Sequence, residues 1–333
     1  MMTDHRRWLR IVGLLSPALL LVAFGRHVNW HAAATALRGA DAALLVVALV
    51  CNQISLALKG VRWWIFLRPL GVRSLSLVLR ATFAGASLNN LVVAQGGEGA
   101  RVLLVSRRAG VSSARVAGAL ALERVLDAVS YLALLAGATF LLAMPDALLR
   151  WRTAASVALA LAILALTALG LAARRSAGVP DVTRAEQHGG RVRSYLRRFV
   201  VSVAEIGSPA RLAMGMTLSL ATWALQVATY HVIALAAHLP LSLAGSVTAM
   251  LTIGVSFLIR ATPGNVGVFQ VIYAFTVHSF GIAEGPAVAA ALLIQTIQVL
   301  PTVLIGTFAG HGLLSAIRDR RKAPRGGPGR ASG

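Results

Sequence analysis

Residues 118–143 read GALALERVLDAVSYLALLAGATFLLA, an apolar run with three charged residues near its start, Glu123, Arg124 and Asp127. The run is long enough to cross the hydrocarbon core of a bilayer, which needs about 20 apolar residues. Each charged side chain in that core costs at least about 2.5–3.5 kcal/mol on insertion scales. The stretch therefore predicts a membrane-spanning helix whose charged residues have partners or a function.

The composition of the whole chain agrees with a membrane protein. Of the 333 residues, 57% are hydrophobic and 13% are charged, which excludes an ordinary water-soluble domain. Lys and Arg number 32 against 11 Asp and Glu, a formal net charge of +21. In a soluble protein this excess would indicate nucleic acid. In an apolar chain, an excess of basic residues is typical of a membrane protein whose topology those residues set. We therefore expect no nucleic-acid partner.

The apolar pattern predicts an all-α, polytopic integral membrane protein. Two stretches, 78–97 and 246–280, are interrupted by Gly, Asn, Gln or Pro, and we interpret them as re-entrant or broken helical hairpins. An inverted arrangement of the two hairpins is a hypothesis from topology alone, without a residue-by-residue repeat. About six uninterrupted runs have the length of full transmembrane helices: 11–25, 40–58, 118–143, 153–173, 212–238 and 287–315.

The positions of the basic residues predict the orientation. Cationic residues before the first run place the N-terminus in the cytoplasm, and a re-entrant path for 78–97 puts the arginine-rich loop at 174–211 on the same side. The alternative for 11–25 is a signal peptide. We expect both termini in the cytoplasm of a bacterial cell with the protein in its inner membrane. Residues 1–317 would form the membrane domain, and 318–333 a disordered basic cytoplasmic tail.

This assignment divides the basic residues into two groups. Most of them, including Lys59 and Arg62, fall on the cytoplasmic side, and Trp63 and Trp64 beside them are interpreted as an interfacial anchor. The arginines that remain at membrane depth are Arg80, Arg124 and Arg260.

The first hairpin and the third full run supply one group of candidate residues. Glu123 and Asp127 are four residues apart and share a helical face. We expect this acidic face to meet arginines of the first hairpin around a polar cavity; the alternative is an ion-paired entrance of a helix. The hairpin candidates are Asn89, Asn90, Glu98 and Arg101. For the two asparagines, the alternative is helix–helix packing.

The second hairpin supplies the other group. Arg260 precedes a turn of the sequence Pro263-Gly264-Asn265-Val266-Gly267, which predicts a broken helix. We expect Arg260 to face a lipid phosphate or an acidic side chain, whereas the alternative is a simple kink. Gln270 is interpreted equally as a hydrogen-bond donor to a headgroup or as a packing residue. Gln226, Tyr230, His231, Gln295 and Gln298 are weaker candidates.

Other kinds of site are not indicated by the sequence. There is one cysteine, Cys51, and the eight histidines form no ligand motif, so we expect no disulfide, metal or other cofactor. No phosphate-binding loop of the nucleotide-binding type is present. No catalytic nucleophile is recognised, and the expectation is a protein without enzymatic activity.

The ordered set of motifs resembles the lysylphosphatidylglycerol synthase transmembrane region family of flippase-like integral membrane proteins. The resemblance covers residues 10–315 and implies a helical domain that translocates lipid. The chain departs from the family at Val93, where a proline is usual, at Gln95, often a basic residue, and at Gln270, commonly a glutamate. The motifs that carry it are Lys59-x-x-Arg62-Trp63, Asn89-Asn90-Leu91, Gly97-Glu98-x-x-Arg101, Glu123-Arg124-x-x-Asp127 and Pro263-Gly264-x-x-Gly267.

We therefore predict a protein that translocates or binds a lipid with a polar or phosphate-bearing headgroup. The resemblance implies an aminoacyl-phospholipid, a polyprenyl-linked lipid or a hopanoid-type lipid. Arginines would balance the headgroup charge, and the acidic residues would hold those arginines or carry protons. Expected partners are membrane lipids and a lipid-biosynthesis enzyme encoded nearby. The alternatives are an enzyme that modifies a lipid headgroup and a non-catalytic partner of a lipid-synthesis complex.

Overall fold

A computed structural model of the protein describes residues 30–91, 96–143, 146–176, 206, 208–256 and 265–322. Within these ranges the chain forms helices and no strand, which confirms the all-α class. A 3-10 turn, Arg68–Leu70, follows α2, and a single helical turn, Asp146–Leu149, precedes α6. The helices are α1 (Trp30–Arg38), α2 (Ala42–Leu67), α3 (Leu75–Leu91), α4 (Gly96–Ala109), α5 (Ser113–Leu141), α6 (Arg152–Ser176), α7 (Pro209–Ala236), α8 (Leu243–Ser256), α9 (Val268–His278) and α10 (Glu284–Lys322).

Three helices in the described part of the chain are long and apolar enough to cross a membrane. They are Ala42–Leu70, Pro209–Ala236 and Glu284–Gly310. The predicted runs 40–58, 212–238 and 287–315 fall on them, and the runs 118–143 and 153–173 fall on α5 and α6. The run 11–25 lies outside the described residues. The protein is thus a helical membrane protein, and the count of about six full spans stays a prediction.

Capping residues set where the helices begin. The Asp41 carboxylate accepts hydrogen bonds from the backbone N–H groups of Ala43 and Leu44, at 2.8 and 3.2 Å, and so begins α2. The Ser112 hydroxyl accepts from the Arg115 N–H at 3.4 Å at the start of α5. Helix α2 continues well past residue 58 and ends at Leu67, just before Pro69 and the turn at Gly71 (φ +96°). The apolar runs therefore located the helices but not their ends.

The first interrupted stretch is an antiparallel pair of helices, α3 and α4. Their backbones approach so closely that a Cβ on Gly85 would lie 2.7 Å from the carbonyl oxygen of Gly97. Glycine at this crossing is a packing requirement, as is usual for close helix contacts in membranes. The second arm runs to Ala109, beyond the predicted end at 97, because Gly96-Gly97 begins a helix there.

The second interrupted stretch contains α8 and α9. Residues 257–264 between them lie outside the described part. Asn265 and Gly267, just before α9, have left-handed backbone angles, φ +58° and +86°. Such angles end one helical path before the next begins, in agreement with the predicted break.

Two hydrophobic cores organise the described helices. One core joins α7, α8, α9 and α10 and includes the large side chains of Tyr273 and Phe269. The other joins α2, α3, α4 and α5 around Trp63, Phe66 and Leu122. The candidate charged residues of the first group lie beside this second core. The last helix, α10, packs along α3 and extends through Lys322, so it overlaps the start of the predicted tail, 318–333.

Amide and hydroxyl side chains connect α2, α7 and α10. The Gln226 amide donates to Ser55 Oγ at 3.0 Å and to Asn52 Oδ1 at 3.4 Å, and Gln298 donates to Gln226 Oε1 at 3.2 Å. Such bonds hold membrane helices together where lipid gives no hydrophobic driving force. The weaker candidates Gln226 and Gln298 therefore have an interhelical packing role.

The glycine crossing gives a first prediction. Gly85→Ala should lower the melting temperature of the detergent-solubilised protein, because overpacking costs about 1–3 kcal/mol. Gly137→Ala is the matched control: its new methyl group meets no atom within 4 Å. Differential scanning fluorimetry measures both. A Gly85→Ala protein as stable as the wild type would contradict the close α3–α4 packing.

Candidate functional site

Six charged side chains from three helices form one network, here called the charged cluster. Its members are Arg62 on α2, Glu98 and Arg101 on α4, and Glu123, Arg124 and Asp127 on α5.

The centre of the charged cluster is the fully buried carboxylate of Glu123. Its Oε2 lies 2.9 Å from Arg101 Nη2, and its Oε1 lies 3.2 Å from Arg62 Nη2. Arg62 also donates from Nη1 to Asp127 Oδ1 at 2.6 Å. The predicted meeting of the acidic face with an arginine of the hairpin is therefore found at Arg101.

Arg62 occupies a position that the sequence did not predict. Its side chain is fully buried in ion pairs within the protein, so Arg62 is not the exposed basic residue that a count of topology signals assumes. Its Nη1 also donates to the hydroxyl of Ser219 on α7. A signal was present: Asn52, Ser55, Lys59 and Arg62 recur every three or four residues and so form one polar stripe along α2.

Arg101 is held between an aromatic ring and the carboxylate. Its guanidinium carbon lies 4.0 Å from the ring centre of Trp63, a close cation–π contact. Trp63 is fully buried, so its interpretation as an interfacial anchor is wrong. The aliphatic part of Arg101 packs over Gly85, where a Cβ would lie 3.3 Å from Arg101 Cβ. The glycine crossing thus makes room for this arginine.

Arg124 and Glu98 form the accessible rim of the charged cluster. Arg124 Nη2 lies 2.5 Å from Glu98 Oε1, and Arg124 Nη1 lies 3.6 Å from Asp127 Oδ2. The side chain of Arg124 is 50% exposed and that of Glu98 26% exposed, whereas Arg62 and Glu123 are fully buried. An incoming anion can therefore reach Arg124 without unpacking the centre.

The charges of the cluster balance. Three arginines, Arg62, Arg101 and Arg124, face the three carboxylates of Glu98, Glu123 and Asp127. The exposed member with a positive charge is Arg124, so an anion is the ligand that the rim favours.

The two asparagines of the hairpin have different positions. Asn89 Oδ1 accepts a hydrogen bond of 2.9 Å from the backbone N–H of Gly97, one of the free donors at the start of α4. Asn89 therefore closes the hairpin, as the packing alternative predicted. Asn90 is half-buried and forms no side-chain hydrogen bond to another described residue.

The candidates of the second hairpin are not connected to the charged cluster within the described residues. Gln270 Oε1 accepts from the Gly267 N–H at 2.6 Å, and Gln270 Nε2 donates to Gln295 Oε1 at 2.5 Å. The oxygen of this buried amide thus binds the start of its own helix, α9, and the nitrogen binds α10. Both bonds favour the packing interpretation of Gln270. Arg260, Pro263 and Gly264 lie outside the described residues.

The helices and the charged cluster define a polytopic helical membrane protein with a buried ion-pair network that opens at Arg124. A family model described as lysylphosphatidylglycerol synthase TM region matches residues 8–306, and the chain belongs to this family. The resemblance in the motifs is thereby confirmed.

One curated relative is the glycosyltransferase AglD of Haloferax volcanii. It is 27% identical over 349 aligned residues, which cover 90% of this chain and 54% of that protein. The chain thus spans about half the length of this relative.

The central carboxylate gives a second prediction. Glu123→Gln should strongly destabilise the protein, by about 3–5 kcal/mol, because it leaves two buried guanidinium groups without their common partner. The matched control is Glu284→Gln, an exposed acid at the start of α10. Thermal unfolding in detergent compares the two variants. Equal melting temperatures would show that the ion pairs do not hold α2, α4 and α5 together.

Proposed function

We propose that the protein transports lipid, translocating or binding a lipid with a phosphate-bearing headgroup at the charged cluster. The observation that carries this proposal is the half-exposed guanidinium of Arg124 at the rim of a buried ion-pair network. Arginine is well suited to phosphate because its planar donors match the phosphate oxygens in charge-assisted hydrogen bonds.

The headgroup would bind by exchange of partners. Its phosphate replaces Glu98 at Arg124, while the buried pairs of Arg62 and Arg101 with Glu123 keep the helices in place. Arg124 has an anion beside it before and after the exchange, so its own charge is never left unpaired. Glu98 turns toward the exposed side when it is released.

The short arms of the α3–α4 hairpin support a re-entrant path. At 1.5 Å per residue, the 17 residues of α3 and the 14 of α4 are about 26 and 21 Å long. Both are shorter than the hydrocarbon core of about 30 Å. A hairpin of this length, entering and leaving on one side, places the Arg124–Glu98 pair within the bilayer thickness. An inverted counterpart at α8 and α9 is part of the same proposal.

The proposed orientation has both termini in the cytoplasm of a bacterial cell and the protein in the inner membrane. The basic residues support it, since this arrangement puts most of them on the cytoplasmic side. A lipid-synthesis enzyme encoded nearby would supply the transported lipid.

A second candidate function follows from the named relative. AglD is called a glycosyltransferase, so a role on a sugar-bearing lipid, as an enzyme or as the membrane partner of one, is the alternative. Polyprenyl-linked, aminoacylated and hopanoid-type lipids are all substrates to be tested. Turnover of the headgroup by the purified protein would favour the enzyme over the transporter.

The transport proposal predicts the behaviour of Arg124 variants. In liposomes with fluorescent phospholipids, Arg124→Gln should slow translocation at least about tenfold, the loss expected for one charge-assisted hydrogen bond to phosphate. Arg124→Lys keeps the charge but not the planar donors and should retain part of the activity.

Arg80→Gln is the matched control for this experiment. Arg80 is an exposed arginine on α3 and has no ion pair with a described residue. Its variant should translocate lipid at the wild-type rate. A wild-type protein that does not accelerate translocation would refute the transport proposal.

The orientation gives a further prediction. In a variant with Cys51 replaced by Ser, single cysteines are introduced at the exposed positions Ala114, in the first turn of α5, and Thr153, in the first turn of α6. In spheroplasts, a membrane-impermeant maleimide should label Thr153→Cys. It should label Ala114→Cys only after the membrane has been permeabilised. Labelling of Ala114→Cys in intact cells would contradict the re-entrant hairpin.

A further inference from the structure

A groove separates α4 from α10 beside α3. The volume of the groove is about 540 Å³. That volume lies in the range of pockets that hold organic ligands. Small residues open the groove, among them Ala84 on α3, Ala100 on α4 and Gly306 and Gly310 on α10.

The floor of the groove is fixed by the close contact of α3 and α10. A Cβ on Gly306 would lie 2.5 Å from Ser87 Cβ, so the two helices meet without an intervening side chain. The walls carry the large apolar side chains, with Leu91 57% and Leu103 48% exposed. The groove is therefore a feature of the backbone packing and not a gap between flexible side chains.

The hydroxyl groups in the groove are already used. Ser87 Oγ and Thr307 Oγ1 both donate to the backbone carbonyl of Val303, at 3.4 and 2.7 Å. They therefore offer no free donor to a ligand, and the surface between α3 and α10 suits a hydrocarbon chain.

One charged residue lines the groove. Arg107, in the last turn of α4, is exposed and forms no ion pair with any described residue. It lies about 10 Å along the helix from Ala100, at 1.5 Å per residue. A cation at one end of an apolar groove matches an amphiphile that has an anionic head and a hydrocarbon tail.

We infer that this groove binds one chain of an anionic membrane lipid, with the phosphate of that lipid at Arg107. The site is separate from the charged cluster, since Arg101 and Arg107 serve different faces of α4. The inference therefore goes beyond the transport proposal and does not depend on it.

Photolabelling tests the site with two probes, phosphatidylglycerol and phosphatidylcholine, each with a diazirine in its acyl chain. In liposomes, the anionic probe should label peptides of α3, α4 and α10 that line the groove about fivefold more than the zwitterionic probe, the preference that one basic residue gives. Arg107→Gln should remove this preference, and Arg80→Gln should keep it.

A second pair of variants tests the groove itself. Ala100→Phe should fill it and reduce its labelling by both probes, whereas Ala165→Phe, at an exposed position on α6, should not. Arg124→Gln should leave groove labelling intact, so failure of the transport proposal is distinguishable from failure of this one. Equal labelling by both probes in the wild type, labelling spread evenly over the apolar surface, or a preference that survives Arg107→Gln would overturn the inference.

Discussion

The Glu123 carboxylate between two guanidinium groups is the interaction on which the N-terminal half of the fold depends. Arg62 comes from α2, Arg101 from α4 and Glu123 from α5, so one buried acid fixes three helices relative to one another. In an apolar environment none of these charges is stable without the others. The network must therefore be satisfied inside the protein, and only its outer pair, Arg124 with Glu98, is free to exchange one partner for another.

The close crossing of α3 and α4 brings Arg101 to this acid. Gly85 and Gly97 let the two backbones meet, and Asn89 binds the N–H of Gly97, one of the free donors in the first turn of α4. Lipid provides no hydrophobic force that would drive the two arms together, so small residues and a polar cap have to do so. The close crossing of the two arms thus brings the Arg101 guanidinium to the buried Glu123 carboxylate.

The sequence predicted the helices and half of the site, for identifiable reasons. Apolar runs located the helices, but caps such as Asp41 and Ser112, and not hydrophobicity, set their starts. The four-residue spacing predicted the shared face of Glu123 and Asp127, since helix geometry is local. The burial of Arg62 was not predicted, because counting basic residues treats each as an exposed marker of a helix end. Its partners lie far along the chain, and only tertiary packing brings them together.

A solid-state NMR distance measurement tests the central claim most directly. Dipolar recoupling measures the distance from the phosphorus of a bound phospholipid to ¹³C-labelled guanidinium carbons of arginine. The signal of Arg124 is assigned by its loss in Arg124→Lys. A short distance to this carbon shows that phosphate reaches the rim of the charged cluster. We expect the wild-type spectrum to contain a guanidinium carbon about 4 Å from phosphorus, the separation set by a charge-assisted hydrogen bond, that is absent in Arg124→Lys. A coupling spectrum that is unchanged by Arg124→Lys would contradict it.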